Sequence, residues 1–226
     1  MFAKETGACK KIAGLILILL SPIIYLGIPL RLAFTESFVQ WEYSRKGFPA
    51  DPYGMDYITR KKLALLGLKA VLSDKGFEEF KRAKLPDGRK AFNQREIKHI
   101  EDVKKVVGTF FKVTYALLFS WIAYLIVLRN KKSLATAVIL SGAFSLLIYL
   151  SVLALSLINY HKAFEVFHNI VFDPYSWRFS YTDTLLRIYP MKFWYDATIL
   201  VLGGTIFLSL LSVMFGFLTL KYRKSS

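Results

Sequence analysis

The residues of this chain best suited to proton transfer are its three histidines, His99, His161 and His168, and all three lie outside four long apolar stretches. Those stretches are Ile12 to Leu30, Val106 to Leu128, Ser133 to Tyr160 and Ala197 to Leu220. An imidazole titrates near pH 6.5, so it can accept and return a proton close to neutrality. Asp102 stands at i+3 from His99 on the same helical face, where it either orients that ring or pairs with Lys98 or Lys105. His161, Glu165 and His168 follow one another at i, i+4 and i+7. With His99 or Asp102 they offer nitrogen and oxygen ligands of the kind that suits zinc in a metal-dependent membrane hydrolase. That spacing is not a recognised metal signature, and an amphipathic helix explains it as well.

The elements that must position these groups are membrane helices. A hydrocarbon core about 30 Å thick takes roughly 20 apolar residues per helix, and each stretch is long enough. Lys112 is the only charged residue inside any of them. With no water at that depth to satisfy backbone groups, the stretches must be helical. The expected fold class is an all-α membrane protein, a four-helix transmembrane bundle with a mostly helical extracytoplasmic cap inserted between the first two spans. In order, the expected segments are a basic tail over 1–11, a span over 12–34, the cap over 35–105 and a span over 106–128. A short loop over 129–132, a span over 133–160, an amphipathic outer loop over 161–196, a span over 197–220 and a tail over 221–226 complete the chain.

Orientation follows from lysine and arginine. Lys4, Lys10, Lys11, Arg129, Lys131, Lys132, Lys221, Arg223 and Lys224 flank the spans on one side against a single acid, Glu5, so this side should be cytosolic. Both termini then face inward, and all three histidines fall on the outer surface. The stretch from Thr35 to Lys105 holds 16 basic and 11 acidic residues, but loops beyond about 60 residues translocate largely regardless of charge. The loop from His161 to Asp196 carries four charges of each sign. The formal +15 therefore reflects membrane anchoring more than nucleic-acid binding, and no nucleic-acid partner is expected. The single cysteine, Cys9, lies in the inner tail, so no disulfide framework is available outside. The first span exceeds a signal-peptide core and reads as a retained anchor.

Local signals refine the outer regions. Pro22 and Pro29 should bend the first span, with neighbouring helices satisfying the freed carbonyls. The cap opens with Trp41 and Tyr43, turns at Asp51-Pro52-Tyr53-Gly54, and continues as a helix near Ile58 to Leu72 that Gly76 should close. Short strands between Tyr43 and Tyr57 are the alternative. A small amphipathic piece, Phe77 to Arg82, leads to the turn Leu85-Pro86-Asp87-Gly88. Asn93 with Glu96 forms a box-like start to a helix that runs into the second span, which places His99 roughly 10 Å beyond the apolar boundary. In the segment from His161 to Phe172, Ala163, Phe164, Phe167, Ile170 and Val171 make an apolar stripe, with His161, Glu165 and His168 expected opposite. Trp177, Tyr181, Tyr189, Trp194 and Tyr195 read mainly as interfacial anchors, and Thr182 or Asp183 should cap a short helix through Arg187. Ser212 and Gly216 suit close helix packing.

Two segments then carry a resemblance. Leu85-Pro86-Asp87-Gly88-Arg89, Ala91-Phe92-Asn93 and Glu96-Ile97-Lys98-His99-Ile100-Glu101-Asp102-Val103 form one. Phe167-His168-Asn169-Ile170 with Trp177, Thr182-Asp183, Arg187, Pro190 and Phe193 forms the other. Together with the four spans they resemble the bacterial lipoprotein intramolecular transacylase family. The resemblance implies an enzyme that moves the sn-2 acyl chain of a diacylglyceryl-modified cysteine onto the free α-amine of that cysteine. It implies His99 and His168 as catalytic residues, supported by Asp102, Trp177, Asp183 and Arg187, with diacylated lipoproteins as partners in the bilayer and neither cofactor nor metal. His161 is read as structural. In the chemistry expected, His99, oriented by Asp102, takes the amine proton while His168 polarises the carbonyl or protonates the leaving oxygen, or the two exchange parts. The non-enzymatic alternative is an envelope protein whose basic cap binds anionic headgroups or an exported partner. A transporter is disfavoured, since no span carries a buried carboxylate or a polar half-helix break.

Overall fold

The computed structural model describes residues 2–128 and 130–222, with side chains over 10–128 and 130–221. Arg129, Arg223 and Lys224, and the side chains of Lys4, Glu5 and Cys9, lie outside the described residues. Among those described the chain forms α1 (Phe2–Ala33), α2 (Glu36–Ser44), α3 (Tyr57–Leu72), α4 (Asp74–Lys81) and α5 (Gln94–Val127). They are followed by α6 (Lys131–Ile158), α7 (Tyr160–Val171), α8 (Thr184–Ile188) and α9 (Met191–Tyr222). The α-helical class is the one the apolar pattern predicts. The strands considered between Tyr43 and Tyr57 do not form: Tyr43 is in α2, and turns occupy the stretch up to α3. Thr35 starts α2 by accepting the Phe38 N–H on its hydroxyl at 3.2 Å.

Four helices are long and apolar enough to cross a membrane, with mean hydropathies of 2.3, 1.8, 2.4 and 2.2 for α1, α5, α6 and α9. At 1.5 Å per residue the 34 residues of α5 extend about 51 Å, well beyond a hydrocarbon core. Its charged first turns, from Arg95 to Lys105, precede its apolar stretch. Helix α6 ends at Ile158, and Tyr160 opens α7 instead of closing the preceding span. The break is Asn159, extended at φ −152°, whose side-chain oxygen caps α7 by accepting the Lys162 N–H at 2.9 Å.

The chain divides into two compact units. The first comprises Met1–Leu30, Phe111–Ala154 and Val201–Ser226. Small residues set its helix contacts: a Cβ at Gly216 would come within 2.4 Å of Ile139 Cγ1, and one at Gly142 within 2.8 Å of the Ser209 carbonyl. Two of its buried hydroxyls are satisfied within their own helix, Ser145 donating to the Ser141 carbonyl and Ser209 to the Thr205 carbonyl, each at 2.8 Å. Helix α1 continues through both prolines. Pro22 lacks an N–H for the Ile18 carbonyl, and the Ser21 hydroxyl of the same helix donates to it at 2.7 Å.

The second unit comprises Arg31–Phe110 and Leu155–Leu200. Its core stacks Phe80 on Phe92 with centroids 3.8 Å apart. Arg60, 3 % exposed, donates to the Arg187 carbonyl from Nε at 2.9 Å and Nη2 at 2.6 Å, and to the Pro49 carbonyl at 2.8 Å. Tyr43 donates to the Ile188 carbonyl at 2.6 Å, and Arg45 bridges Glu42 and Asp196. Tyr189 is a core residue whose hydroxyl donates to the Ala64 carbonyl, not an interfacial anchor. The turn at Leu85-Pro86-Asp87-Gly88 is as expected, with Gly88 at φ +85° and its N–H on the Leu85 carbonyl at 2.9 Å.

Gly76 does not close α3. Ser73 ends that helix and caps α4, accepting the Gly76 N–H at 3.0 Å. Gly76 lies inside α4, where a Cβ would sit 2.3 Å from the Lys69 carbonyl oxygen of α3. Because the obstacle is backbone, Gly76→Ala should force the two helices apart at a cost of about 2 kcal/mol. Thermal unfolding in detergent should show Tm lowered by several degrees, whereas Gly203→Ala, whose Cβ would meet nothing within 4 Å, should leave Tm unchanged.

Candidate active site

The site is built from the first turns of α5. Asn93 Oδ1 accepts the Glu96 N–H at 3.0 Å and Glu96 Oε2 accepts the Asn93 N–H at 2.7 Å, the reciprocal capping box that the sequence pattern predicts. The other Glu96 oxygen accepts the Leu185 N–H at the start of α8, at 2.7 Å. This carboxylate is 1 % exposed; burial raises its pKa, while the N–H donors from Asn93 and Leu185 favour the anion. Asn93 Nδ2 donates to Asp183 Oδ1 at 3.0 Å, and Asp183 Oδ2 accepts the Ser180 N–H at 2.8 Å. Asp183 is the N-cap position of α8, yet its carboxylate makes no cap bond because these two partners occupy it. Arg95 donates to the Arg178 carbonyl at 3.1 Å. Three hydrogen bonds thus hold the segment from Arg178 to Leu185 against the beginning of α5.

One turn beyond Glu96, His99 faces the aromatic residues of that same connection. Its ring meets Phe172 and Phe179 edge-on, with centroids at 5.0 and 5.3 Å, and lies 6.3 Å from the His168 ring at an interplanar angle of 25°. His99 is 9 % exposed, and its Nδ1 is buried without a hydrogen-bond partner among the described residues. Burial, helped by the neighbouring His168 and opposed by Asp102, pushes its pKa down to about 4. At neutral pH this ring is uncharged.

His168 comes from α7. Its Nδ1 is 2.8 Å from the Phe164 carbonyl, and since a carbonyl only accepts, Nδ1 carries the proton and donates. The lone pair is then on Nε2. The ring packs on Phe164 at 3.9 Å, on Trp177 at 5.0 Å and on Phe172 at 5.6 Å. Burial lowers its pKa, with the Phe164 carbonyl opposing. The Trp177 indole Nε1 is also buried without a partner among the described residues.

The structure brings His99, His168 and Trp177 together, ties Asp183 to Asn93 at the start of α5, and gives Asp102 and Arg187 other partners. Asp102 Oδ1 takes the Lys98 ammonium at 2.6 Å, so its carboxylate is engaged along the helix at i, i−4 and does not hold His99 Nδ1. Arg187 forms a two-point ion pair with the fully buried Asp51, at 3.1 and 2.8 Å, and organises the core of its unit. His161 is exposed, and Glu165 pairs with Lys162 at 2.9 Å. Among the described residues no three His, Cys, Asp or Glu side chains converge as a metal site. His168 does not oppose the apolar stripe but stacks on Phe164, one of its members. The error is angular: residues four apart on a helix are separated by only about 40° and touch. Phe172 and Phe179, which enclose His99, carried no signal beyond their aromatic character.

The profile of the family described as lipoprotein intramolecular transacylase Lit matches residues 13–194. An uncharacterized protein of Aquifex aeolicus is 53 % identical over 211 residues, 93 % of this chain and 93 % of that one. The in meso structure of the membrane integral lipoprotein intramolecular transacylase Lit from Bacillus cereus superposes with a TM-score of 0.69 at 15 % identity, covering 97 % of this chain and 100 % of that one. A variant of the Bacillus cereus protein with one histidine replaced by alanine superposes at 0.65, with 16 % identity and complete coverage of both chains. At those identities the structures establish a shared fold. With the profile spanning most of its length, this multi-pass membrane protein belongs to the lipoprotein intramolecular transacylase family.

Proposed function

We propose that this protein is an intramolecular O-to-N acyltransferase that converts diacylglyceryl-cysteine lipoproteins to the lyso form. The observation that carries the reading is the pair of uncharged imidazoles, His99 buried on α5 and His168 half-buried on α7, 6.3 Å apart within one aromatic enclosure. The neutral α-amine of the cysteine attacks the sn-2 ester carbonyl. His168, with Nδ1–H anchored on the Phe164 carbonyl and a free lone pair on Nε2, accepts the proton that the amine nitrogen must lose. His99 donates its own N–H to the ester oxygen. When the C–O bond breaks, the imidazolium returns the proton to the departing glycerol oxygen, leaving an amide on nitrogen and a free hydroxyl on glycerol. Asp102, tied to Lys98, is not needed to orient either ring.

Amine and ester belong to one substrate molecule, so holding them in attack geometry supplies on the order of 7 kcal/mol or more. General acid–base catalysis adds a smaller factor, roughly 10²- to 10⁴-fold. The enclosure itself lowers the charge-bearing tendency of both rings, which keeps a base available when a solvent-exposed imidazole would begin to protonate. The site belongs on the outer face of the membrane, with both termini and the 129–132 loop inside. The outer regions over 35–105 and 161–196 supply all of its residues.

Three outcomes follow. Mass spectrometry of a reporter lipoprotein's N-terminal peptide, in cells lacking other N-acylating enzymes, should show conversion from free-amine diacyl to N-acyl monoacylglyceryl form. His99→Ala or His168→Ala should slow it about 10²-fold or more at normal membrane abundance; unchanged conversion in both would remove the histidines from the mechanism. Second, the α-amine, with a pKa near 8, should give log kcat/KM a slope of one below that pH. Because the rings' pKa values are lowered, that slope should persist through pH 6.5 instead of steepening to two, and a bend at 6.5 would mean exposed, ordinary imidazoles. Third, a membrane-impermeant maleimide should label Cys9 only after permeabilisation and an introduced Ser176→Cys in intact cells; the reverse pattern would invert the topology.

A further inference from the structure

Helix α7, which carries His168, has three sides. At about 100° per residue, Tyr160, Phe164, His168 and Val171 share one arc, Ala163, Val166, Phe167 and Ile170 a second, and Lys162, Glu165 and Asn169 a third. The first arc is docked on protein: the Tyr160 and Thr198 hydroxyls bond at 3.0 Å, Phe164 lies 6.3 Å from Trp194, and His168 meets Trp177 and His99. The third is polar, with Glu165 paired to Lys162 and Arg178. The second has no cover. Val166, Phe167 and Ile170 are 44, 55 and 79 % exposed, in a helix of which no residue is fully buried. What adjoins this arc along the chain is a membrane helix. The span Lys131–Ile158 ends one residue before α7 begins, and its last side chain, Ile158, is 81 % exposed. On a spanning helix a side chain so exposed borders acyl chains, so with Asn159 as the only link the apolar arc of α7 starts where the hydrocarbon ends.

Resting on the transacylase reading, we propose that α7 is an in-plane helix whose Val166, Phe167 and Ile170 side is seated in bilayer lipid, and that this seating sets the depth of His168. An amphipathic helix of this kind buries its apolar side about 5–10 Å into the boundary between headgroups and acyl chains. Its axis is then at the level of the glycerol esters, and His168 stays within one helix radius of it, about 5–6 Å. The sn-2 ester of a membrane-anchored substrate is at that same level, so it meets the base without leaving the bilayer. Phe167 joins the two functions: besides facing outward, its ring meets His168 edge-on at 5.3 Å and lies 6.5 Å from Phe172, which packs on His99.

The test uses the full-length protein with Cys9→Ser, which removes its single native cysteine, in vesicles of phosphatidylethanolamine and phosphatidylglycerol. One spin label is attached at Val166→Cys, Ile170→Cys, Lys162→Cys or Asn169→Cys. Labels at 166 and 170 should collide severalfold more often with dissolved oxygen, which concentrates in acyl chains, than with a water-soluble nickel chelate, and labels at 162 and 169 should show the reverse. Nickel access at all four positions would overturn the proposal. So would shielding of 166 and 170 from both reagents, with dipolar broadening if a second copy covers the face and without it if the chain's own residues do. In the same vesicles Ile170→Glu should lower kcat/KM for a diacylated lipoprotein about tenfold, while Ile170→Leu and the water-side Asn169→Glu stay within twofold of the unaltered protein. A short-chain diacylglyceryl-cysteinyl peptide dissolved with the protein in detergent needs no set depth, so Ile170→Glu should convert it nearly normally; an equal loss on both substrates would make Ile170 a packing residue and overturn the depth assignment. Lipid-exposed labels on an unaltered protein that converts neither substrate would instead overturn the transacylase reading and leave the lipid contact standing.

Discussion

The site depends on one buried carboxylate. Glu96 has almost no exposure, so its charge is tolerable only because backbone N–H groups meet both of its oxygens, one from Asn93 and one from Leu185. The first bond closes the N-terminus of α5. The second ties that terminus to α8, far along the chain. Through this link and the Asn93 to Asp183 bond, the segment bearing Trp177 and Phe179 is fixed beside the turn that carries His99. A neutral side chain of the same size would leave one of those N–H groups unsatisfied, and the cost falls on the enclosure around both imidazoles.

That enclosure sets the chemistry through desolvation. Phe172 and Phe179 against His99, and Phe164, Phe172 and Trp177 against His168, remove water that would stabilise an imidazolium. The consequence is a pair of bases that stay neutral, at the expense of two buried nitrogens without partners, His99 Nδ1 and Trp177 Nε1. Unsatisfied polar atoms of this kind are uncommon in native interiors, where each carries a cost of about 1–3 kcal/mol. The presence of both beside His168 fits a site that gains hydrogen bonds when an ester and an amine arrive.

Around this site the second unit is stiffened by bonds from side chains to backbone carbonyls. Arg60 reaches the carbonyls of Arg187 and Pro49, Tyr43 reaches Ile188, and Tyr189 reaches Ala64. Arg187 is central to this scheme through its pairing with Asp51, which explains why a charged residue near the site need not touch the substrate. The first unit uses a different vocabulary: glycines at helix contacts and hydroxyls that bond within and between helices, Tyr149 donating to the Pro22 carbonyl and Ser212 to the Val138 carbonyl, as expected where lipid supplies no hydrophobic force between helices.

What the sequence by itself determined is what local physics controls. The four spans follow from apolar length, the α5 start from the Asn93 and Glu96 spacing, the Gly88 turn from its backbone freedom, and the two histidine-bearing segments from their motif content. Each depends on residues a few positions apart. Only the tertiary structure decided that Asp102 serves Lys98 and not His99, that Gly76 marks a close approach to Lys69 and not a helix end, and that Tyr189 is core. It also decided which aromatics surround the imidazoles. Whether between neighbours on one helix, as for Asp102, or between distant segments, these contacts are set by competition among partners for the same atom or space, and a linear pattern carries no record of which partner wins.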